Sequence, residues 1–258
     1  MPTIEVGGER IFYALHENAA QGRLRLVLVH GAGENHLVWP AALRRMADVQ
    51  VYAIDLPGHG KSGGAGRASV AEYAAFLVQL LDTLSLERVV IAGHSMGGAI
   101  AQQFGLAYPA RTAALILIAT GARLRVAPQL LQLTGMDLRA AADFITQYEW
   151  GPDAPEQMVR LGRQQLLTNR LDVLHGDYRA CDAFDVMERL GEIRAPTLVI
   201  GGTADQMTPP KYASLLAERI PRAQLLLVEG AGHMVMLERE ATVARAVEQF
   251  LLSLQTRK

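Results

Sequence analysis

The chain has 258 residues, of which 50% are hydrophobic and 20% are charged, the composition of an ordinary globular protein. The formal net charge is -1, so no overall field attracts nucleic acid or an anionic membrane, and we expect neither as a partner. The single cysteine, Cys181, excludes an intrachain disulfide. Because no signal-peptide pattern or membrane-length apolar run is visible, we expect a cytoplasmic protein. We also expect a monomer or a homodimer.

Short β-like runs alternate with helical segments over residues 1–120. The first two runs, Thr3–Val6 and Arg10–Leu15, flank two glycines and predict a hairpin. Ser69 and Glu72 form a capping box that predicts a helix over residues 70–84. The other elements predicted here are the strands Leu24–Val29, Val49–Ile54, Arg88–Ala92 and Ala113–Ala119, and a helix near residues 39–46. This alternation is typical of an α/β fold with a mostly parallel sheet and helices on both faces.

The alternation stops between residues 121 and 193, where the apolar spacing is helical and prolines break the runs. The helical runs predicted there are Leu130-Leu131-Leu133, Leu138–Trp150 and Met158–Leu167. It resumes with the strands Thr197–Ile200 and Leu225–Val228, a helix starting at Thr208-Pro209 and a last helix near residues 240–254. We therefore predict a core of residues 1–120 and 194–258. A helical insertion of residues 121–193 interrupts it. The insertion's apolar faces need a partner, and the C-terminal edge of the sheet is the largest one available.

The segment around Ser95 indicates a nucleophile. A β-branched apolar run ends in Gly93-His94-Ser95-Met96-Gly97, and helix-forming residues follow. In this strand–turn–helix context, G-x-S-x-G places the serine on a strained turn, and the two glycines remove Cβ atoms from a crowded turn. The N–H of Met96 then lies at a helix N-terminus, where it has no partner within the helix. Negative charge that develops near Ser95 can be stabilised there.

Two further polar residues follow predicted parallel strands. Asp205 comes just after one strand and His233 just after the next, so we expect both at the sheet edge that carries Ser95. Serine needs a base within hydrogen-bond reach, histidine titrates near neutrality, and a carboxylate on the far ring nitrogen orients the imidazole. The chain order serine, acid, histidine is the order found in hydrolases of this layout.

At this point the chain resembles an α/β-hydrolase over nearly its whole length. The motifs that carry the resemblance are His30-Gly31-Ala32-Gly33, Asp55-Leu56-Pro57-Gly58-His59-Gly60, Gly93-His94-Ser95-Met96-Gly97-Gly98, Gly202-Thr203-Ala204-Asp205 and Gly230-Ala231-Gly232-His233. The resemblance implies an eight-stranded sheet whose second strand is antiparallel, and an inserted helical lid after the sixth strand. It also implies an oxyanion hole formed by the N–H groups of Ala32 and Met96.

The remaining candidate residues have structural or pocket-lining interpretations. We expect His30 to brace the oxyanion loop, and His59 and His94 to be structural as well. Asp182 and Asp185 lie in the helical insertion with no strand before them, so Asp205 is favoured as the acid. Cys181 is interpreted as a packed apolar side chain. The residues predicted to line the substrate pocket are Phe144, Tyr148, Trp150, Met207 and Met234.

No cofactor or metal is expected. Gly58-His59-Gly60-Lys61-Ser62-Gly63 matches the dinucleotide pattern G-x-G-x-x-G, but the predicted helix begins only near residue 70 instead of within the motif. The spacing of histidine, cysteine and acidic residues matches no metal-ligand pattern.

The sequence therefore predicts a serine hydrolase that cleaves small, mostly apolar carboxylic esters through an acyl-enzyme. Hydrolysis of enol-lactones, of carbon–carbon bonds in aromatic ring-cleavage products or of thioesters, and perhydrolase activity, require the same triad and stay open. A serine at position 95 excludes the dehalogenases and epoxide hydrolases of this fold, which need aspartate there. The alternative from another class is a non-enzymatic receptor or signalling protein that keeps the triad and binds a small molecule.

Overall fold

The computed structural model describes residues 2–17 and 24–255, and its strands there form one eight-stranded sheet. The strands are β1 (Thr3–Val6), β2 (Glu9–His16), β3 (Arg25–Val29), β4 (Gln50–Ile54), β5 (Val89–His94), β6 (Thr112–Ile118), β7 (Thr197–Gly202) and β8 (Ala223–Val228). Their order is β1-β2-β4-β3-β5-β6-β7-β8. β2 is antiparallel to both of its neighbours, and every other pairing is parallel. The predicted fold class is confirmed.

Ten α-helices accompany the described sheet. They are α1 (Ala41–Arg44), α2 (Val70–Thr83), α3 (Met96–Ala107), α4 (Pro128–Met136), α5 (Leu138–Glu149), α6 (Glu156–Leu166), α7 (Leu171–Ala183), α8 (Pro210–Arg219), α9 (Val235–Glu238) and α10 (Glu240–Gln255). Within residues 2–17 and 24–255, none of the helices combines the length and the apolar character that a membrane crossing requires.

The sheet has a hydrophobic core on each face. Alternate residues of a strand point to opposite faces, so Val27 and Val29 pack with α2, α3 and α8, whereas Leu26 and Leu28 pack with α1, α9 and α10. The six residues of β5 are all buried, as expected of a central strand covered on both sides. The sequence pattern of unbroken apolar runs reflects this double burial.

Local signals set several helix ends. The Ser69 side chain accepts a hydrogen bond from the N–H of Glu72 and caps α2, as predicted, while the Glu72 carboxylate accepts from Ala68 rather than from Ser69. The helix predicted near residues 39–46 is shorter, because Pro40 separates a 3₁₀ turn at His36–Val38 from α1. Pro209 caps α8, which therefore begins one residue later than the predicted start.

Four helices, α4 to α7, lie between β6 and β7 and form what we call the helical insert. Three of them match runs predicted from the sequence; α7 was missed. The insert has its own apolar cluster, to which α4, α5, α6 and α7 contribute residues such as Leu130, Ile145, Leu166 and Leu174. Ala32, in the loop after β3, packs against this cluster, so the insert meets the core at the loops that follow the strands.

Candidate active site

Ser95 occupies a strained turn between β5 and α3. Its backbone has φ 51° and ψ -116°, a combination that few non-glycine residues adopt. The Ser95 N–H donates to the Ile118 carbonyl at 3.0 Å, and the Ser95 carbonyl accepts from Gly98 N–H at 2.9 Å and from Thr120 Oγ1 at 2.8 Å. These bonds to β6, the loop after it and α3 hold the serine in a conformation that it would not adopt alone.

The glycines on either side of Ser95 are required by close backbone approach. A Cβ atom at Gly93 would collide with the carbonyl of Gly97, and one at Gly97 would collide with the carbonyls of Val29 and His30. In neither case can a flexible side chain move away, because the obstructing atoms belong to the backbone. The spacing G-x-S-x-G follows from packing the turn against β3 and the start of α3.

His233 and Asp205 form a buried hydrogen-bonded pair. His233 Nδ1 lies 2.9 Å from Asp205 Oδ2, and both side chains are almost inaccessible to solvent. Asp205 Oδ1 also accepts from the N–H groups of Met207 and Thr208, each at 2.8 Å. Burial opposes ionisation of Asp205, yet His233 and these donors lower its pKa below the ordinary value. An ionised carboxylate therefore faces the imidazole.

Thr208 is a contact that sequence reasoning missed. Its hydroxyl donates to Asp205 Oδ2 at 2.8 Å and lies 3.2 Å from His233 Nδ1. The hydroxyl therefore braces the pair from the start of the segment that leads into α8. The motif Asp-x-x-Thr, in which a hydroxyl follows the acid by three residues, is the signal that predicts such a contact.

Ser95, His233 and Ala32 line two adjoining cavities. The larger has a volume of about 610 Å³ and the smaller about 350 Å³. The pocket residues predicted from the sequence divide between them: Trp150 and Met234 line the larger cavity, Phe144 and Tyr148 the smaller, and Met207 both. Helices α5, α6 and α7 of the insert contribute to the walls, so the insert covers the sheet edge that carries Ser95.

The backbone around Ala32 is oriented by His30. The His30 ring is fully buried; its Nδ1–H donates to the Gly31 carbonyl at 2.8 Å, and its Nε2 accepts from Leu56 N–H at 3.0 Å. A ring with one donor and one acceptor contact is neutral, and burial lowers the pKa of His30 to about 4. The Gly31 carbonyl and the Ala32 N–H belong to one trans peptide, so fixing the carbonyl directs the N–H the opposite way. Met96, the other expected donor, is the first residue of α3.

A buried carboxylate–imidazole pair, Glu34 and His94, stabilises the loop after β3. Glu34 Oε2 accepts from Gly31 N–H at 2.6 Å and lies 3.0 Å from His94 Nδ1. His94 Nε2 faces the His233 carbonyl at 3.1 Å. Both ring nitrogens of His94 therefore face acceptors, and the Glu34 carboxylate raises the pKa of His94 despite its burial. His94 links the loop after β3 to the loop that carries His233.

Glu149, at the end of α5, is a second functional contact that the sequence did not indicate. Its carbonyl accepts from the N–H groups of His233 at 2.8 Å and Met234 at 3.2 Å. Its carboxyl group accepts from Trp150 Nε1 at 2.7 Å and lines the larger cavity. Burial, with Glu34 nearby, raises the pKa of Glu149 to about 7. The carboxyl is therefore mostly protonated below neutral pH.

The other residues singled out in the sequence have structural contacts. Asp182 accepts from Val126 N–H at 3.0 Å, and Asp185 pairs with Arg123 at the surface. Cys181 is buried against the smaller cavity, and burial raises the pKa of its thiol. His59 is buried and donates from both ring nitrogens, to the Pro57 carbonyl at 3.0 Å and to Asp177 at 2.7 Å. The glycine-rich loop at residues 58–63 is followed by a helix only at Val70.

Comparisons with known proteins identify the family of the chain. A family model described as "Alpha/beta hydrolase family" matches residues 26–246. The chain is 27% identical to the pimeloyl-[acyl-carrier protein] methyl ester esterase of Yersinia enterocolitica, over 89% of this chain and 94% of that protein. A solved thermophilic esterase superposes with a TM-score of 0.85 at 34% identity, over 98% of this chain and 97% of that one. The enol-lactonase of Burkholderia xenovorans LB400 superposes with a TM-score of 0.88 at 24% identity, over 97% and 100%, which shows a shared fold.

The raised pKa of Glu149 has a consequence for stability. The folded chain keeps this proton up to a pH of about 7, whereas an unfolded chain releases it near a pH of about 4.3. The folded state therefore binds more protons between these values, and the contribution of Glu149 to stability falls as the pH rises through that window. We expect Glu149→Gln, which cannot ionise, to gain stability relative to the wild type by up to about 1.4 kcal/mol per pH unit there and to level off above the window. Urea unfolding of both proteins at closely spaced pH values measures this difference. Parallel stability profiles would contradict it.

Proposed function

Because the chain belongs to the alpha/beta hydrolase family, we propose that it hydrolyses small, mostly apolar carboxylic esters through an acyl-enzyme on Ser95. The observation that carries the proposal is the buried His233–Asp205 pair, joined at 2.9 Å, in the wall of a cavity that Ser95 also lines. The strained backbone of Ser95 supports the same assignment, because such strain persists where the surrounding structure maintains it for function.

In the first half of the reaction, Ser95 Oγ attacks the ester carbonyl carbon and gives its proton to His233 Nε2. Asp205 holds the opposite nitrogen, Nδ1, which fixes the tautomer and stabilises the imidazolium. The carbonyl π electrons move to oxygen, and the resulting oxyanion accepts hydrogen bonds from the N–H groups of Ala32 and Met96. Collapse of this intermediate breaks the carbon–oxygen bond, and the imidazolium protonates the departing alcohol.

In the second half, His233 takes a proton from water, and the resulting hydroxide attacks the acyl carbon. The oxyanion forms again between the same two N–H groups. When it collapses, the bond to Ser95 breaks and the imidazolium returns the proton to Ser95 Oγ. The products are one carboxylic acid and one alcohol, and the protein is regenerated with the protons it began with.

The helical insert acts as a cap in this proposal. Its helices α5, α6 and α7 cover the two cavities with mostly apolar side chains, which exclude water from the reacting carbonyl. An ester has two arms, one on each side of the scissile bond, and two cavities meet at Ser95. A substrate of modest size with an apolar arm in each cavity fits this arrangement.

The name of the Yersinia relative describes cleavage of a methyl ester, which is the bond class proposed here. The experiment that separates the alternatives is a turnover panel of short p-nitrophenyl esters, an enol-lactone and a vinylogous diketone. Ester turnover with no diketone cleavage supports the proposal. A non-enzymatic receptor would change its melting temperature with a ligand and turn over none of the panel.

Ser95→Ala tests the nucleophile. Removing the hydroxyl abolishes acyl-enzyme formation. We expect ester turnover to fall to the residual rate that substrate binding and the oxyanion hole provide, which is roughly 10³–10⁴ times the rate in water. The melting temperature should change little. The measurements are p-nitrophenyl acetate hydrolysis and labelling by a fluorophosphonate probe. Wild-type turnover or labelling in the variant would show that another residue is the nucleophile.

Asp205→Asn tests the acid. The amide cannot hold His233 in the productive tautomer, so kcat should fall by roughly 10⁴. Asp182→Asn is the matched control, because Asp182 bonds a backbone N–H away from His233. We expect that control to stay within about twofold of the wild type, in keeping with its remote position. The reverse order of losses would move the catalytic acid into the insert.

Trp150→Ala and Phe144→Ala test the two cavities. Trp150 lines only the larger cavity and Phe144 only the smaller, so each variant should change the preference for a different arm of the ester. The measurement is kcat/KM for two series of esters, one varying the acyl chain from acetate to octanoate and the other varying the alcohol. If both rings only hold helices together, each variant would lose stability, roughly 3–5 kcal/mol for the buried Trp150 and less for the half-buried Phe144. Activity would then fall by one common factor on every ester.

A further inference from the structure

Asp177 is a fully buried carboxylate of α7 that joins the helical insert to three parts of the core. Its Oδ2 accepts from the N–H of Gly33 at 3.0 Å and from Nε2 of His59 at 2.7 Å. Its Oδ1 accepts from the hydroxyl of Tyr73, on α2, at 2.7 Å. The mechanism above uses none of these contacts, and a buried charge is costly unless it is paired and hydrogen-bonded.

The charge of Asp177 is balanced by His59. The two ring nitrogens of His59 face two acceptors, the Pro57 carbonyl and the Asp177 carboxylate, so the ring carries both protons. Burial works against this charge, but the Asp177 carboxylate outweighs it and raises the pKa of His59. An ion pair thus connects α7 with the loop after β4, and Asp177 has a further acceptor position left for the Gly33 N–H.

The insert binds both backbone polar groups of Gly33, the N–H and the carbonyl. Its N–H is bound by Asp177, and its carbonyl accepts from Asn169 Nδ2 at 2.7 Å and from Gln165 Nε2 at 3.0 Å. Its φ of +66° suits glycine, and the side chain of Leu174 fills the space where a Cβ atom would lie. All four of these contacts come from residues 165–177, which form the end of α6, the following turn and α7.

Gly33 is the neighbour of Ala32, whose N–H is proposed to bind the oxyanion. The core controls one side of Ala32, because His30 and Glu34 bind the two polar groups of Gly31. The insert controls the other side, because it binds both polar groups of Gly33. The position of the Ala32 N–H therefore depends on the core and the insert together.

We propose that Asp177 is a positioning residue that couples docking of the helical insert to the geometry of the oxyanion hole at Ala32. This inference rests on the proposed function. With the insert docked, Asp177 and Asn169 hold Gly33, and the Ala32 N–H lies where the oxyanion develops. Without these contacts the two polar groups of Gly33 lose their partners, and the neighbouring donor is less well preorganised for the transition state.

The test compares two variants that weaken the insert's hold on Gly33 with one that does not. Asp177→Asn removes the charge from the acceptor of the Gly33 N–H, and Asn169→Ala removes one of the two bonds to the Gly33 carbonyl, from a partly exposed position. Tyr73→Phe is the matched control, since it removes a hydrogen bond from the same carboxylate without contacting Gly33. The readouts are kcat and KM for p-nitrophenyl acetate, the melting temperature, and Ki for an alkyl boronic acid, whose tetrahedral adduct on serine places an oxygen in the oxyanion hole.

A misplaced Ala32 N–H weakens stabilisation of the transition state and does not change substrate binding. We expect Asp177→Asn and Asn169→Ala to lower kcat by roughly 10- to 100-fold and to raise Ki for the boronic acid by a similar factor, with KM within about twofold. Tyr73→Phe should lower the melting temperature yet keep kcat and Ki near the wild type. Two results would overturn the proposal. The first is a normal kcat and Ki in Asn169→Ala together with a normal kcat in folded Asp177→Asn. The second is a loss of kcat in Tyr73→Phe equal to the loss in Asp177→Asn.

The wild-type chain separates this failure from failure of the proposed function. A wild type that neither hydrolyses the ester nor reacts with a fluorophosphonate would disprove the serine-esterase assignment. A wild type that does both, with unchanged Asp177 and Asn169 variants, would disprove only the coupling. If Asp177→Asn does not fold, Asn169→Ala still tests the coupling through Gly33, because its side chain is not part of the buried ion pair, and a normal kcat and Ki in that variant and in the double variant Gln165→Ala/Asn169→Ala, which removes both donors to the Gly33 carbonyl, would overturn it.

Discussion

The conformation of Ser95 depends on backbone bonds from the strand beside it. The serine backbone conformation is unfavourable in isolation. It is maintained because the Ser95 N–H donates to the Ile118 carbonyl and the Ser95 carbonyl accepts from Thr120 and Gly98. These partners belong to β6, the loop after it and α3, so the turn is stable only when β6 lies beside β5. The strain at Ser95 is therefore offset by contacts from elements that follow it in the chain.

Carboxylate–histidine pairs recur at the sheet edge that carries Ser95. Four buried histidines each contact a carboxylate: His36 with Asp55, His59 with Asp177, His94 with Glu34 and His233 with Asp205. His30 differs, because its two ring nitrogens contact a carbonyl and an N–H instead, and it is held neutral. The carboxylate partners of His59 and His94 raise the pKa of those two rings, whereas burial lowers the pKa of His30. Of these five rings, only His233 lines the cavities, where it can exchange a proton with a substrate.

The sequence predicted the eight strands because each is marked by a local pattern, whereas the antiparallel second strand was implied by the family resemblance. Unbroken apolar runs mark strands buried on two faces, and the glycines around Ser95 mark a turn that has no room for side chains. Asp205 and His233 were predicted by the same means, since each follows such a run directly. Helix α7 was missed for a physical reason: Asp177 sits within its buried face, and a charged residue there breaks the apolar period. Glu34, Glu149 and Asp177 each have at least one partner 60 or more residues away, as in the pairs Glu34–His94 and Asp177–His59. Local spacing carries no signal for such contacts.

The contacts between the insert and the loops have a consequence for exchanging caps between related enzymes. The Glu149 carbonyl accepts from the N–H of His233, and Asp177 and Asn169 bind Gly33, so the insert contributes hydrogen-bond partners to the loop after β3 and to the loop that carries His233. A transplanted cap of the same length that lacked these partners would leave polar groups of both loops unpaired. A chimera that retains residues 149, 169 and 177 of this chain keeps the partners of those loops, while the residues that line the cavities come from the other protein. The cavity walls and the loops around Ser95 can thus be taken from different proteins, provided that these three positions are not exchanged.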